Sequence, residues 1–234
     1  MKKLLFILFL LGQTHVNAQN TAARLTRYEV TPAQQETFRK TITDYVLYSL
    51  RQGSNIQSEA YYEQENTAVL WIIERWSDRD ELEKASRSTP FKAIGSLSKR
   101  SLIHPERTFY VKDLEPLLKE QWRIVAKKND TPITIMLFVD SKAGTEGTFK
   151  DVYHKAMPQF RSEPGVINYQ LSQLEEDNTR FVTYEKFRGE EAFQYHLHFP
   201  PIQPVIDYLE TNIKKPPFQD GLHRLIEFAP LIRE

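Results

Sequence analysis

FVTYEKFRGEEAFQYHLHFPPIQPVI, running from Phe181 to Ile206, decides how this 234-residue chain is read. It alternates as a strand, turns at Gly189, continues as a short helix carrying His196 and breaks at Pro200 and Pro201. LWIIERWSDRDELEKASRSTPFKAIG, from Leu70 to Gly95, repeats the pattern more weakly. Glu74 falls on Glu185, Trp76 on Phe187, Leu82 on Phe193 and Pro90 on Pro201, every pair 111 residues apart. The chain reads as one unit written twice.

The repeat extends outward from both stretches. In the first half, Arg24 to Val30 alternates weakly and predicts a strand. Thr31-Pro32 supplies a helix start, a hydroxyl cap with proline at the first helical position. Phe38, Ile42, Tyr45, Val46 and Leu50 recur at helical spacing, and Gly53 ends that helix. Ile56 to Glu63 predicts a second strand, and Gln64-Glu65-Asn66 a turn. Ala68 to Trp76 is apolar on both faces, with Leu70, Ile72 and Trp76 on one and Val69, Trp71 and Ile73 on the other. A strand of that kind is covered on both sides. Short helices follow from Asp78 and from Thr89-Pro90, then a strand from Phe109 to Leu114.

The second half keeps the order. Ile133 to Val139 predicts a strand, and Gly144 to about Ala156 a helix that Pro158 bends or ends. Pro164-Gly165 turns the chain into the strand Val166 to Leu174, with Ile167, Tyr169 and Leu171 on one side. Glu176-Asp177-Asn178 leads into the strand Phe181 to Phe187, Pro204 to Ile213 forms a late helix, and His223 to Phe228 a last strand.

Each half is β-α-β-β-α-β, the split βαβ order of a ferredoxin-like α+β unit. Helices cover one face of such a sheet, and the other face needs a cover. A second copy of the sheet provides it. The sequence therefore predicts α+β domains at 19–117 and 133–234, joined by a linker at 118–132, with their sheets packed face to face as an intrachain pseudo-dimer. Trp122, Ile124 and Val125 of the linker are expected against the surface, and Lys127 to Asp130 as an exposed turn. Further homo-oligomerisation is left open.

The N-terminus is Met1-Lys2-Lys3, an apolar run from Leu4 to Leu11, then a polar stretch ending Val16-Asn17-Ala18. This predicts a secretory signal peptide over 1–18 and an exported protein, periplasmic or secreted. Without Lys2 and Lys3 the mature chain carries 29 basic and 31 acidic side chains, no electrostatic footprint for nucleic acid. No apolar run is long enough to span a membrane. The absence of cysteine excludes disulfides, thiolate catalysis and cysteine metal sites.

Pro164-Gly165, then Glu185 and Phe187, then Phe193 and His196 three residues later, and then Pro200 and Ile202, resemble the antibiotic biosynthesis monooxygenase domain. That family includes quinol monooxygenases and lies in the dimeric α+β barrel superfamily. The resemblance spans roughly residues 23–114 and 133–231, and in the first half it rests on Glu74, Trp76, Pro90 and Phe91. The family's histidine position is His196 in the second half but Ala85 in the first. Its tryptophan position is Trp76 in the first half but Phe187 in the second. Any site is therefore expected in the second half, with the first as scaffold.

The resemblance implies a cofactor-independent oxygenase, with neither metal nor organic cofactor, acting on small aromatic or quinol-like compounds. Such a reaction needs an apolar pocket and a base near neutral pH, and histidine, ordinarily titrating at about 6.5, suits that role. His196 is the expected base or orienting donor, Tyr184 a hydrogen-bond partner, and Phe149, Tyr153, Phe187 and Phe193 the aromatic walls. Glu74 and Glu185 recur in both halves and are read as structural. A non-catalytic module of the same fold, binding a small ligand or serving as scaffold, is the alternative.

Overall fold

A computed structural model of the chain describes residues 21–215 and 221–234. The expected signal peptide, 1–18, lies outside the described residues. The first half contains β1 (Ala22–Val30), α1 (Gln35–Leu50), β2 (Asn55–Glu63), β3 (Val69–Trp76), α2 (Arg79–Ser86), α3 (Thr89–Ser101) and β4 (Leu102–Leu114). A single-turn helix, α4 (Lys119–Trp122), sits in the connector. The second half contains β5 (Ile133–Asp140), α5 (Glu146–Arg161), β6 (Val166–Leu174), β7 (Arg180–Phe187), α6 (Glu190–Leu197), α7 (Gln203–Thr211) and β8 (Leu222–Ala229). Both halves are β-α-β-β-α-β, with the second helix of each split in two.

The strands close into one barrel in the order β1-β3-β2-β8-β5-β7-β6-β4. Each half supplies an antiparallel four-stranded sheet, and the last strand of each pairs with the other half, β4 with β6 and β8 with β2. The expected intrachain pseudo-dimer is thus a barrel with both seams hydrogen-bonded. Closure leaves no sheet edge to attract another chain.

β3 is buried along its whole length, as its two apolar faces require. Val69, Trp71 and Ile73 enter the barrel interior with Leu25, Val111, Met136 and Val182. Leu70 and Ile72 meet Phe38, Ile42 and Val46 of α1 on the outer side. Fully burying side chains of this size stabilises the fold by about 1.5–3 kcal/mol each. β7 follows the same alternation, with Val182 and Tyr184 inward and Phe181 outward beneath α5.

The interior also holds charges, and each is paired. Arg75 Nε and Nη2 donate to the two Asp113 oxygens at 2.7 and 2.9 Å. Lys186 on β7 lies 2.7 Å from Glu59 of β2 and 3.1 Å from Glu227 of β8, so one ammonium ties the two halves together.

Four local expectations are corrected. Thr31 makes no capping bond, and Pro32–Gln34 forms a 3-10 turn before α1. Pro158 lies inside α5, which runs on to Arg161. That last turn is held by fully buried Phe160 and by Arg161, which donates to the carbonyls of Tyr169 and Glu115. β4 begins at Leu102, seven residues early, because its first residues pair with β1 while remaining exposed, so no apolar alternation marks them. Trp122 goes deeper than packing against the surface: it is buried in the barrel interior, with the Arg75 guanidinium 4.0 Å above its ring.

Candidate functional site

The alternation of β7 sorts the expected site residues onto two sides of the sheet. Glu185 lies on the outer face under the helices, whereas Tyr184 and Lys186 lie inward. α6 then brings His196 over the outer face. It approaches so closely that a Cβ on Gly165 would stand 2.2 Å from that of Ala192, which explains the glycine of the Pro164-Gly165 turn. Glu163 precedes that turn, so the same contact seats α6 against Glu163.

His196 is 2% exposed, with its ring among those of Phe160, Tyr169 and Phe187 at centroid distances of 4.8, 5.5 and 5.3 Å. Its Nδ1 lies 2.8 Å from Glu163 Oε1, and its Nε2 lies 3.9 Å from Glu185 Oε2. Glu185 Oε1 accepts from the Thr183 hydroxyl at 2.7 Å and from the Tyr169 hydroxyl at 3.1 Å. Burial raises the Glu185 pKa above the usual carboxylate value, and the neighbouring imidazole offsets this only in part. Glu163 Oε2 is buried without a hydrogen-bond partner.

His196 and Glu185 line a cavity of about 80 Å³ between the second-half sheet and α5, α6 and α7. Its other walls include Leu137, Tyr153, Tyr169, Phe193, Val205 and Leu209. Tyr153 also lines an open surface groove of about 740 Å³, together with Lys112, Glu115, Lys150 and His154. Its side chain therefore stands between groove and cavity.

His196, Tyr153 and Phe193 are thus brought together as the sequence suggests. Tyr184 is not: its hydroxyl lies 2.8 Å from that of Tyr61 and donates to Glu59 Oε2 at 2.6 Å, inside the barrel and across β7 from His196. Phe149 and Phe187 stand one layer behind the walls, Phe149 against Tyr153 at 4.7 Å and Phe187 against Phe193 at 5.4 Å. Sequence reasoning missed Glu163, which sits in a turn with no periodicity, and Tyr169, which was placed on the right face but given no role. Glu185 keeps the chain contacts of a structural residue, to Thr183 and Tyr169, and also lines the cavity.

In the first half the chain's own donors surround the same position. β1 sets Arg24 opposite Glu74, as β5 sets Ile135 opposite Glu185. Glu74 accepts from Arg24 Nε and Nη2 at 2.9 and 2.6 Å, the Tyr45 hydroxyl at 2.7 Å and Trp76 Nε1 at 2.7 Å. The guanidinium also donates to Ser86 Oγ at 2.8 Å and stacks on Phe91. Four donors saturate this carboxylate, so Glu74 has the structural role expected of it. Among the described residues, no group of three or more His, Asp or Glu is arranged to hold a metal ion.

The family model for antibiotic biosynthesis monooxygenase matches residues 22–95 and 132–206. No curated protein matches the sequence. Among solved structures, a protein of Fusobacterium nucleatum described as a candidate monooxygenase superposes with a TM-score of 0.75 at 12% identity, over 89% of this chain and 92% of that one. One from Lactobacillus acidophilus, described in the same way, gives 0.73 at 11% identity over 89% and 94%. An anthrone oxidase-like protein gives 0.62 at 10% identity over 90% and 92%. At these identities the likeness concerns the fold.

Proposed function

Because the chain belongs to the antibiotic biosynthesis monooxygenase family, in two copies, we propose that it is an exported, cofactor-independent monooxygenase of small aromatic or quinol-type compounds, with its site in the second half. One observation carries the reading. A histidine held by a buried carboxylate lines an apolar cavity. Export rests on the sequence pattern of Met1 to Ala18.

In this reading Glu163 accepts the Nδ1 proton and fixes the tautomer, leaving the Nε2 lone pair as the base. This is the logic of a carboxylate-oriented imidazole. A phenolic hydroxyl gives its proton to Nε2. The resulting phenolate is electron-rich enough to reduce dioxygen, and the two combine at a ring carbon. Protonation of the peroxide and loss of water leave a new carbonyl. A hydroquinone and dioxygen thereby give a hydroxyquinone and water, one oxygen atom to each. His196 returns the phenolic proton to the peroxide, and Glu185 Oε2 lies 3.9 Å from Nε2 beside it, its pKa raised by burial above the usual carboxylate value.

The small size of the cavity favours a second reading, a binder of small apolar molecules without turnover. Oxygen uptake separates the two. Mature protein is mixed with a panel of reduced quinols and phenols, with chelator and no added cofactor, wild type against His196→Ala. Uptake lost in the folded variant supports the oxygenase. No uptake from either protein leaves the binder.

A further inference from the structure

We infer that the second-half cavity takes a neutral, single-ring phenol whose hydroxyl sits between His196 Nε2 and Glu185 Oε2. The inference rests on the site proposed above and not on its reaction.

The two copies argue for the hydroxyl. In the first half both oxygens of Glu74 are engaged, and the donors all come from the chain itself. In the second half Arg24 gives way to Ile135 and Tyr45 to Ala156, so the guanidinium and the phenol that fill the first copy are gone. Both chain donors to Glu185 go to Oε1. Oε2 instead faces His196 Nε2 at 3.9 Å, beyond direct hydrogen-bonding range. A single oxygen between them reaches both at about 2.8 Å, donating to one and accepting from the other. The Tyr45 phenol already makes this contact in the first half, at 2.7 Å from Glu74 Oε2. A ligand phenol would set its oxygen at the equivalent place in the second half.

Charge argues for neutrality. An anionic ligand would be buried with no lysine or arginine among the cavity walls to pair it. Away from these polar groups the walls are aliphatic or aromatic, which suits a ring.

Volume argues for one ring. The space of about 80 Å³ is below the roughly 150 Å³ of an engineered apolar cavity that holds benzene. One ring enters if Val205 and Leu209 of α7 yield slightly. A fused pair of rings exceeds that space further.

The test is calorimetric titration of the mature protein, without oxygen, using phenol, benzene, para-hydroxybenzoate and naphthol as probes. Phenol is expected to bind at least tenfold more tightly than benzene, with para-hydroxybenzoate and naphthol not binding. Glu185→Leu should lower phenol affinity to that of benzene while benzene still binds, which shows that the variant is folded. Leu209→Ala should admit naphthol. Benzene binding as tightly as phenol, naphthol binding wild type more tightly than phenol, or no probe binding at all would overturn the inference. Phenol binding without oxygen uptake from hydroquinone leaves the inference standing and removes the oxygenase. Uptake with bicyclic quinols alone removes the inference and leaves the oxygenase.

Discussion

Glu163 Oε1 lies 2.8 Å from His196 Nδ1, across 33 residues of sequence and with both side chains buried. A turn and a helix that share no sequence pattern thereby form one unit. Glu163 should act through the imidazole as a positioning residue. Glu163→Ala is expected to lower turnover by 10²–10⁴-fold, the usual contribution of a positioned base, with part recovered in Glu163→Gln, which keeps an acceptor for Nδ1–H. A purely structural role predicts that thermal stability and turnover fall in proportion across Ala and Gln. Measuring both in the two variants decides.

Gly165 sets how close α6 comes. Gly165→Ala forces its Cβ against that of Ala192 and should cost about 1–3 kcal/mol, as overpacking does. Ala192→Gly on the same background removes the clashing atom and should restore much of the loss. Thermal unfolding of the single and double variants tests this. Equal stability of the two would show that the turn moves independently of α6.

The first half should be a scaffold held by its ion pair. Arg24→Ala leaves Glu74 buried with no cation and is expected to destabilise by about 3–5 kcal/mol. Replacing both residues by methionine should cost less than the single change. Turnover per folded molecule should stay at the wild-type level in either. Urea unfolding with activity measured on the same samples is the check.

Much of this architecture is legible in the sequence because it rests on periodicity. β3 announces burial on both faces, and the spacing of 111 between Glu74 and Glu185 matches their equivalent places opposite Arg24 and Ile135. Tyr184 was misplaced although its strand was right, since adjacent residues on a strand face opposite sides and only the barrel decides which side meets the helices. Glu163 was invisible, because a turn residue carries no period and its partner lies far along the chain. The early start of β4 was hidden for a related reason: an exposed strand needs no apolar alternation.

Acid should act on the seam between the halves. Burial pushes the Glu59 carboxyl up, but Lys186 outweighs it and holds the group at about 2, below its ordinary 4.5. A carboxylate depressed on folding stabilises fully above its unfolded value, and that contribution drains as pH falls through the folded one. Stability should therefore decline between about pH 4.5 and 2, and Glu59→Gln should flatten that limb while lowering stability at neutral pH. Glu185 has the opposite sign: raised by burial, its contribution is full below the ordinary carboxylate value and is lost as pH rises through the folded one. Glu185→Gln should flatten stability on that side. Urea midpoints across the pH range, wild type against each variant, test both signs.

In the proposed reaction a single oxygen atom passes from dioxygen to an aromatic substrate at His196. The most direct measurement is mass spectrometry of the product formed from a reduced single-ring quinol under oxygen-18-labelled dioxygen, in chelated buffer, with wild type and His196→Ala. One labelled oxygen is expected in the product, the other in water, and no labelled product from the variant. Unlabelled product, or equal labelling with and without His196, would contradict it.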